Sequence, residues 1–411
     1  MQNRKGRRRF LAILIITGVF LGGCETKEIS KTVILPKETA DDGNGSGINV
    51  KNIKEHTYEG DILSMTWEED LPGGICVLFD KGGGWEYQVM DVYQKETLES
   101  SLLDEFFVGF ARISPGGKYI ISEVINDSVV QLFLYRTGTG EKQLICEWEN
   151  SSEIFMYEWS GDGTKFFVWQ DGNDYGQDPY ENWSICRYDA ESGEKAEILM
   201  EGNGGAWRTV LPNDDGSKAY VREEYLDENC DAVMNMYEGT LNKYKITAEN
   251  TEYDASTGED EQTAASRSWV ADMETGEARE LEDEKMIVSG PIKYTRQGVF
   301  GKEGDGIWLL QEPLGETEKK RILTTDCDEI CVCENGDHIF LMDWDMDPDY
   351  LQVTGVRMQD GEVAGRQVLY KNIYGSYDTV LVGQDDSELI IQTEEYLSKE
   401  ECLKRVAVLE Y

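Results

Sequence analysis

The stretch "RISPGGKYIISEV", Arg112 to Val124, sets a Ser-Pro-Gly-Gly turn between two apolar runs. Pro presets a turn and Gly accepts positive φ, so the stretch reads as a hairpin between two strands. Variants of it recur down the chain. They are "YEWSGDGTKFFVW" (Tyr157–Trp169), "LPNDDGSKAYV" (Leu211–Val221), "IKYTRQGVFG" (Ile292–Gly301), "CVCENGDHIFLM" (Cys331–Met342) and "LVGQDDSELIIQ" (Leu381–Gln392). "EEDLPGGICVLF" (Glu68–Phe79) is a looser copy.

A second punctuation follows most of these hairpins. It is seen in "YRTGTGEKQLI" (Tyr135–Ile145), "YDAESGEKAEIL" (Tyr188–Leu199), "ADMETGEAREL" (Ala271–Leu281), "QEPLGETEKKRIL" (Gln311–Leu323) and "RMQDGEVAGRQVL" (Arg357–Leu369). Each reads as a turn from a third strand to a fourth. The unit is then four antiparallel strands over roughly 40–50 residues, the period of a propeller blade. The expected fold is all-β, a β-propeller of about seven four-stranded blades, with six or eight as the alternatives. The blades should begin near Ile62, Phe106, Ile154, Ala206, Met286, Glu329 and Tyr377. The last supplies only three strands before Tyr411, which would leave an unpaired edge. "KNIKEHTYEG", Lys51 to Gly60, precedes the first blade and is expected to close the ring as the missing outer strand.

The S-P-x-G turn and the T-G-E turn together resemble TolB-type propeller repeats, a WD-like pattern also similar to the non-catalytic propellers of prolyl oligopeptidase-type enzymes. The resemblance covers most of residues 62–411 and implies fold more than activity. Only Pro115 supplies the Ser-Pro, and the copy around Gly298 lacks the acidic turn residue.

The first residues are of another kind. "MQNRKGRRRF" is basic, "LAILIITGVF" is apolar, and "LGGC" follows. This is the layout of a signal peptide, residues 1–23. Leu21-Gly22-Gly23-Cys24 resembles a bacterial lipobox, which implies that Cys24 carries a lipid. "RRRFL" also resembles part of a twin-arginine signal, while the very apolar run favours the general secretory route. The expected location is therefore the extracytoplasmic face of a bacterial membrane, through a lipid anchor. Residues 24–50, polar and ending in a Gly/Ser/Asp cluster, read as a tether. The propeller should occupy 51–411, with an acidic insertion at about 225–265.

The 411 residues hold 81 acids and 39 bases, a net charge of −42. Cleavage before Cys24 removes Arg4, Lys5, Arg7, Arg8 and Arg9 and no acid, which takes the charge to −47. Such a surface cannot neutralise phosphates, so nucleic acid is not an expected partner. It would also be repelled by anionic lipid, leaving the anchor to hold it there. Nine cysteines are present. Cys76, Cys146, Cys186 and Cys331 lie in strand-like runs and read as core thiols. "CDEICVC" lacks zinc-ribbon spacing.

Only His56 and His338 exist, and no G-x-S-x-G, H-E-x-x-H or P-loop motif occurs. No catalytic residue and no metal ligand is singled out. The candidates are surfaces instead. Asp171, Asp174, Tyr175, Asp178, Tyr180 and Trp183 occupy one link between second and third strands. Asp343, Asp345, Asp347 and Asp349 occupy another, and the links of blades 4 and 7 emerge on the same face. These four links form a candidate acidic, aromatic-bearing rim. Its oxygens suit Ca²⁺, the one cofactor considered, although neither sequence matches the EF-hand pattern. Arg112, Glu158 and Lys293 form a candidate lining of the central channel, where two cations could hold an anionic group. The expected function is a non-catalytic propeller that binds an extracytoplasmic protein or glycan. The alternative is a carboxylate-dependent enzyme acting on extracellular polysaccharide.

Overall fold

The computed structural model describes residues 48–411 apart from 59–60, 69–70, 72, 81–84, 93, 95, 104–110, 127–128, 150–153, 172–182, 203–206, 226–264, 276, 283–286, 288–290, 312–317, 347–348, 373–375, 383–386 and 397–401. Among the described residues, twenty-eight strands form seven four-stranded antiparallel sheets. After β1 (Asn52–Tyr58), blade 1 is β2 (Asp61–Trp67), β3 (Gly74–Asp80), β4 (Trp85–Asp91) and β5 (Glu96–Leu103). Blade 2 is β6 (Ala111–Ile113), β7 (Tyr119–Asn126), β8 (Val129–Arg136) and β9 (Glu141–Glu149). Blade 3 is β10 (Ile154–Trp159), β11 (Lys165–Asp171), β12 (Trp183–Asp189) and β13 (Lys195–Gly202). Blade 4 is β14 (Trp207–Pro212), β15 (Lys218–Tyr225), β16 (Ala265–Asp272) and β17 (Glu277–Glu280). Blade 5 is β18 (Pro291–Thr295), β19 (Gly298–Glu303), β20 (Gly306–Gln311) and β21 (Glu318–Thr324). Blade 6 is β22 (Glu329–Val332), β23 (His338–Met346), β24 (Asp349–Gln359) and β25 (Glu362–Asn372). Blade 7 is β26 (Ser376–Val382), β27 (Glu388–Tyr396) and β28 (Cys402–Glu410), completed by β1.

The ring closes as the sequence suggests. β1 pairs antiparallel with β28, from Asn52 opposite Glu410 to Tyr58 opposite Lys404. The join extends further back than the sequence expectation. Ile48 is buried among Phe340, Leu369 and Leu389, and Val50 packs beside it, so the last residues assigned to the tether belong to the body.

The first strand of each blade lines the centre. β2 contacts β6, β14 contacts β10 and β18, β22 contacts β18 and β26, and β26 contacts β2. The second and third strands supply most of the core, which fills the spaces between blades. Phe166, Tyr188, Leu132 and Leu134 pack where blades 2 and 3 meet, and Phe300, Leu309, Ile339 and Leu341 where blades 5 and 6 meet. The strands buried on both faces are therefore nearly continuous apolar runs, such as Gly74–Phe79, whose residues are all buried.

The motif that opens the sequence reading is a repeated, side-chain-locked turn. The Tyr119 amide donates to Ser114 Oγ (3.1 Å), the Lys165 amide to Ser160 Oγ (3.0 Å) and the Lys218 amide to Asn213 Oδ1 (2.8 Å). In blade 6 a thiol takes the same place, with the His338 amide 3.0 Å from Cys333 Sγ. Each lock satisfies a backbone donor at the start of the second strand.

Candidate functional site

The four-stranded meander gives the ring two unlike faces. The turns between first and second and between third and fourth strands lie on one, here the turn face. The links between second and third strands, and those from blade to blade, lie on the other, the link face. On the turn face blades 3 to 6 are tied each to the next. The Gly161 and Asp162 amides of blade 3 donate to the Asn213 and Asp214 carbonyls of blade 4 (3.5 and 2.8 Å), and the Arg296 amide of blade 5 donates to the Glu334 carbonyl of blade 6 (3.1 Å). Arg296 Nη2 lies 3.3 Å from Asp214 Oδ2.

The residues proposed for the channel sit on first strands as expected, Arg112 on β6, Glu158 on β10 and Lys293 on β18. Their charges are already matched. Arg112 Nη1 lies 2.8 Å from Glu158 Oε2, so the two form one bridge between blades 2 and 3. Lys293 Nζ lies 2.9 Å from Glu334 Oε2, a bridge between blades 5 and 6. Sequence reasoning missed Glu334, which sits in the turn after β22 rather than on a strand. The two cations thus act as clasps between neighbouring blades, and the idea that they hold an anionic group gains no support from them. Glu158 keeps 37% side-chain exposure to channel water, yet it lies deep among protein atoms. Desolvation pushes its carboxyl above the usual range against the opposing pull of Arg112. Arg112 also stands 5.6 Å from the centroid of the Tyr157 ring, and burial drives that phenol well above its ordinary range.

The rim candidates divide. Asp174, Tyr175, Asp178, Tyr180 and Asp347 lie outside the described residues. Asp171 ends β11 and Trp183 begins β12, so the segment 172–182 does leave and re-enter at the link face. The blade 6 candidates differ from the long loop that the sequence suggests. Asp343 and Asp345 are on β23 and Asp349 is on β24, and the ladder runs on to Met346 opposite Asp349. Alternating Asp, Trp, Met and Tyr in "MDWDMDPDY" satisfies a strand as readily as a loop. The long links are in blades 3 and 4, where residues 172–182 and 226–264 join second to third strands.

Asp343 gathers a local acidic site with Asp326 and Asp328, which precede β22. Desolvation first, and then repulsion from Asp328 and Asp326, pushes its carboxyl above the usual range, with Arg366 and a hydrogen bond from Gln352 pulling the other way. Lys302 Nζ donates to the carbonyls of Cys327 and Asp328, the latter at 3.2 Å, which ties this link to blade 5. Among the described residues no group of three or more His, Cys, Asp and Glu is arranged to hold a metal ion. His56 lies on β1, and His338 opens β23 with its ring edge-on to Tyr411.

Cys146, Cys186 and Cys327 are free thiols, and the Tyr87 hydroxyl donates to Cys76 Sγ at 3.1 Å. Burial, with Cys186 nearby, pushes the Cys146 thiol up to about 12. The reading of Cys76 and Cys186 as core thiols matches their burial, and Cys331 is half-buried.

A closed ring of seven four-stranded blades makes the chain a seven-bladed β-propeller. No family model matches it, and no curated protein matches it. Solved structures do. An oligogalacturonate lyase in complex with manganese is 11% identical, with a TM-score of 0.52 over 93% of this chain and 96% of that one. The oligogalacturonate lyase of Vibrio parahaemolyticus gives the same identity, coverage and TM-score. The β-propeller domain of the Trilobed protease from Pyrococcus furiosus is 12% identical, with a TM-score of 0.49 over 87% of this chain and 94% of that one. At these identities the lyases share the fold with this chain and nothing further is carried over.

Proposed function

We propose that this propeller is the body of a bacterial lipoprotein, anchored through Cys24 on the extracytoplasmic face of a membrane, and that it binds a protein or glycan partner without catalysing a reaction. The repeats' resemblance to TolB-type propellers fits a binding role. The observation that carries the reading is the contrast between the two faces. The turn face carries backbone-amide ties between blades 3 and 4 and between blades 5 and 6, whereas residues 172–182 and 226–264 join second to third strands on the link side. Loops on a rigid scaffold are where recognition residues collect. The clasped channel cations leave the link face, with Asp343 and its acidic neighbours, as the better candidate surface.

The anchor is tested by Cys24→Ala. Labelled fatty acid should be lost from the variant, and the protein should leave the membrane fraction after a high-salt wash. Retention of label or of membrane binding would remove the anchor from this reading.

A further inference from the structure

The centre of the turn face is crossed. Gly161 of blade 3 and Glu334 of blade 6 lie three blades apart, on opposite sides of the ring. A Cβ on Gly161 would stand 3.1 Å from Glu334 Oε2 and 2.9 Å from Asp214 Oδ1 of blade 4. Blade 5 holds both acids, through Lys293 to Glu334 and Arg296 to Asp214. Blades 3 to 6 thus meet over the axis and give the channel a floor.

Just inside that floor stands the pair Arg112 and Glu158. Glu158 is on β10, the strand that leads into the turn of Gly161. Both side chains stay a third to a half exposed. Their bonds to protein leave capacity unused. Arg112 Nη1 serves both Glu158 Oε2 (2.8 Å) and the Tyr157 carbonyl (3.4 Å), whereas Nε and Nη2 make no hydrogen bond among the described residues. Glu158 Oε1 accepts only the Trp159 amide, at 3.3 Å. Leu63 is exposed at the bulge between Ile62 and Ser64. It is on the adjoining wall, because Ser64 Oγ accepts the Ile113 amide at 3.0 Å.

We propose that this channel is a blind cup, entered from the link face, that takes the end of a neutral polysaccharide. The hydroxyls of a sugar ring meet Arg112 and Glu158, and its C–H face meets Leu63. The inference deepens the glycan arm of the binding reading and rests on it. The pair decides the charge of the ligand. A charged group meets attraction from one member and similar repulsion from the other. A hydroxyl accepts from the guanidinium and donates to the carboxylate with the bridge intact. Neighbouring hydroxyls on a sugar offer both functions to groups that lie 2.8 Å apart. The net charge of −42 also repels acidic glycans. The floor admits a chain end rather than a through-running chain, and a peptide end would bring a full charge.

The test titrates the full chain by calorimetry, at two salt concentrations, with maltohexaose, cellohexaose, xylohexaose and mannohexaose, and with an oligogalacturonate as the acidic comparator. We expect at least one neutral probe to bind, with an affinity that salt leaves unchanged, and the acidic probe not to bind. Arg112→Lys keeps the charge and removes the guanidinium fork, and Leu63→Trp fills the cup without touching the pair. Each should raise the Kd about ten-fold or more while the melting temperature holds. Arg296→Ala, at the centre of the turn face, should leave the Kd unchanged. Binding that survives both Arg112→Lys and Leu63→Trp, or that falls as far in Arg296→Ala, would overturn the cup. Tighter binding of the acidic probe would overturn its neutrality. Failure of every neutral probe would overturn the inference and leave the anchored body with a protein partner.

Discussion

Gly117 of blade 2 sits directly against Cys76 of blade 1. A Cβ on this glycine would overlap Cys76 Sγ, and the Tyr87 hydroxyl donates to the Gly117 carbonyl at 3.0 Å. The turn that marks the repeat in the sequence is thus also a contact between blades. With φ at +74°, the position needs glycine for its backbone as well as for its space.

Gly117→Ala should therefore cost two terms. The left-handed backbone costs about 1–2 kcal/mol, and forcing a methyl into a packed contact adds about 1–3 kcal/mol. Gly140→Ala is the control. Its φ is +69°, but a Cβ there meets nothing within 4 Å, so only the backbone term applies. Urea unfolding of both variants measures the difference. Equal losses would mean that the blade 1 contact yields freely.

Ring closure gives a second expectation. A chain starting at Ile48 should keep the stability of the longer chain, because Ile48 and β1 are both retained. A chain starting at Asp61 loses β1 and exposes the edge of β28, and should melt at a lower temperature and aggregate. Ile48→Ala alone should cost about 2–4 kcal/mol, as for other buried isoleucines. Identical melting curves for the two truncations would show that β1 does not hold the ring.

Asp343 gives a pH-dependent expectation. Its folded-state carboxyl titrates above its unfolded value, so the native state is penalised when the group is ionised. That penalty is absent below the unfolded value, near 4 for an aspartate. It grows as pH rises through the folded value and is fully present at neutral pH. Asp343→Asn should raise the melting temperature at pH 7, and the gain should fade on acidification toward pH 4. A variant that is less stable than the parent at pH 7 would show that the attraction of Arg366 outweighs the desolvation and the repulsion from Asp326 and Asp328.

Binding should depend on the link face. Changing Asp343, Asp345 and Asp347 to Asn keeps their size and removes charge. A basic partner recovered by pull-down, or Ca²⁺, should bind more weakly to the triple variant, and the loss should shrink as salt screens the interaction. Glu191→Gln with Glu194→Gln, in the turn after β12, is the control on the turn face. Titrations at two salt concentrations decide. A control that loses as much affinity as the triple variant would move the binding surface to the other face.

The repeat was legible because a propeller is built from local hairpins. Each needs a tight turn, and turns declare themselves through Gly, Asn, Asp and Ser, as at Ser114, Ser160 and Asn213. Blade 3 begins at Ile154 and blade 6 at Glu329, as the turn spacing alone predicts. The closing strand was legible too, because an incomplete last blade and an unused strand before the first can satisfy only each other.

The sequence was less informative where strand and loop share a composition. "MDWDMDPDY" reads as a loop by its acids, yet cross-strand pairing of Met342 with Val353 and Trp344 with Leu351 carries the ladder through it. Chain order could place Arg112, Glu158 and Lys293 on the inner strands. It could not say that Arg112 would spend its charge on Glu158, or Lys293 on Glu334. Those pairings join residues of different blades, and no spacing along the chain encodes them. Local turn chemistry and apolar runs determined the blades, their number and their closure. Only the ring, by bringing distant blades edge to edge, decided which charges are clasped, which blades are tied through their turns and where β1 enters.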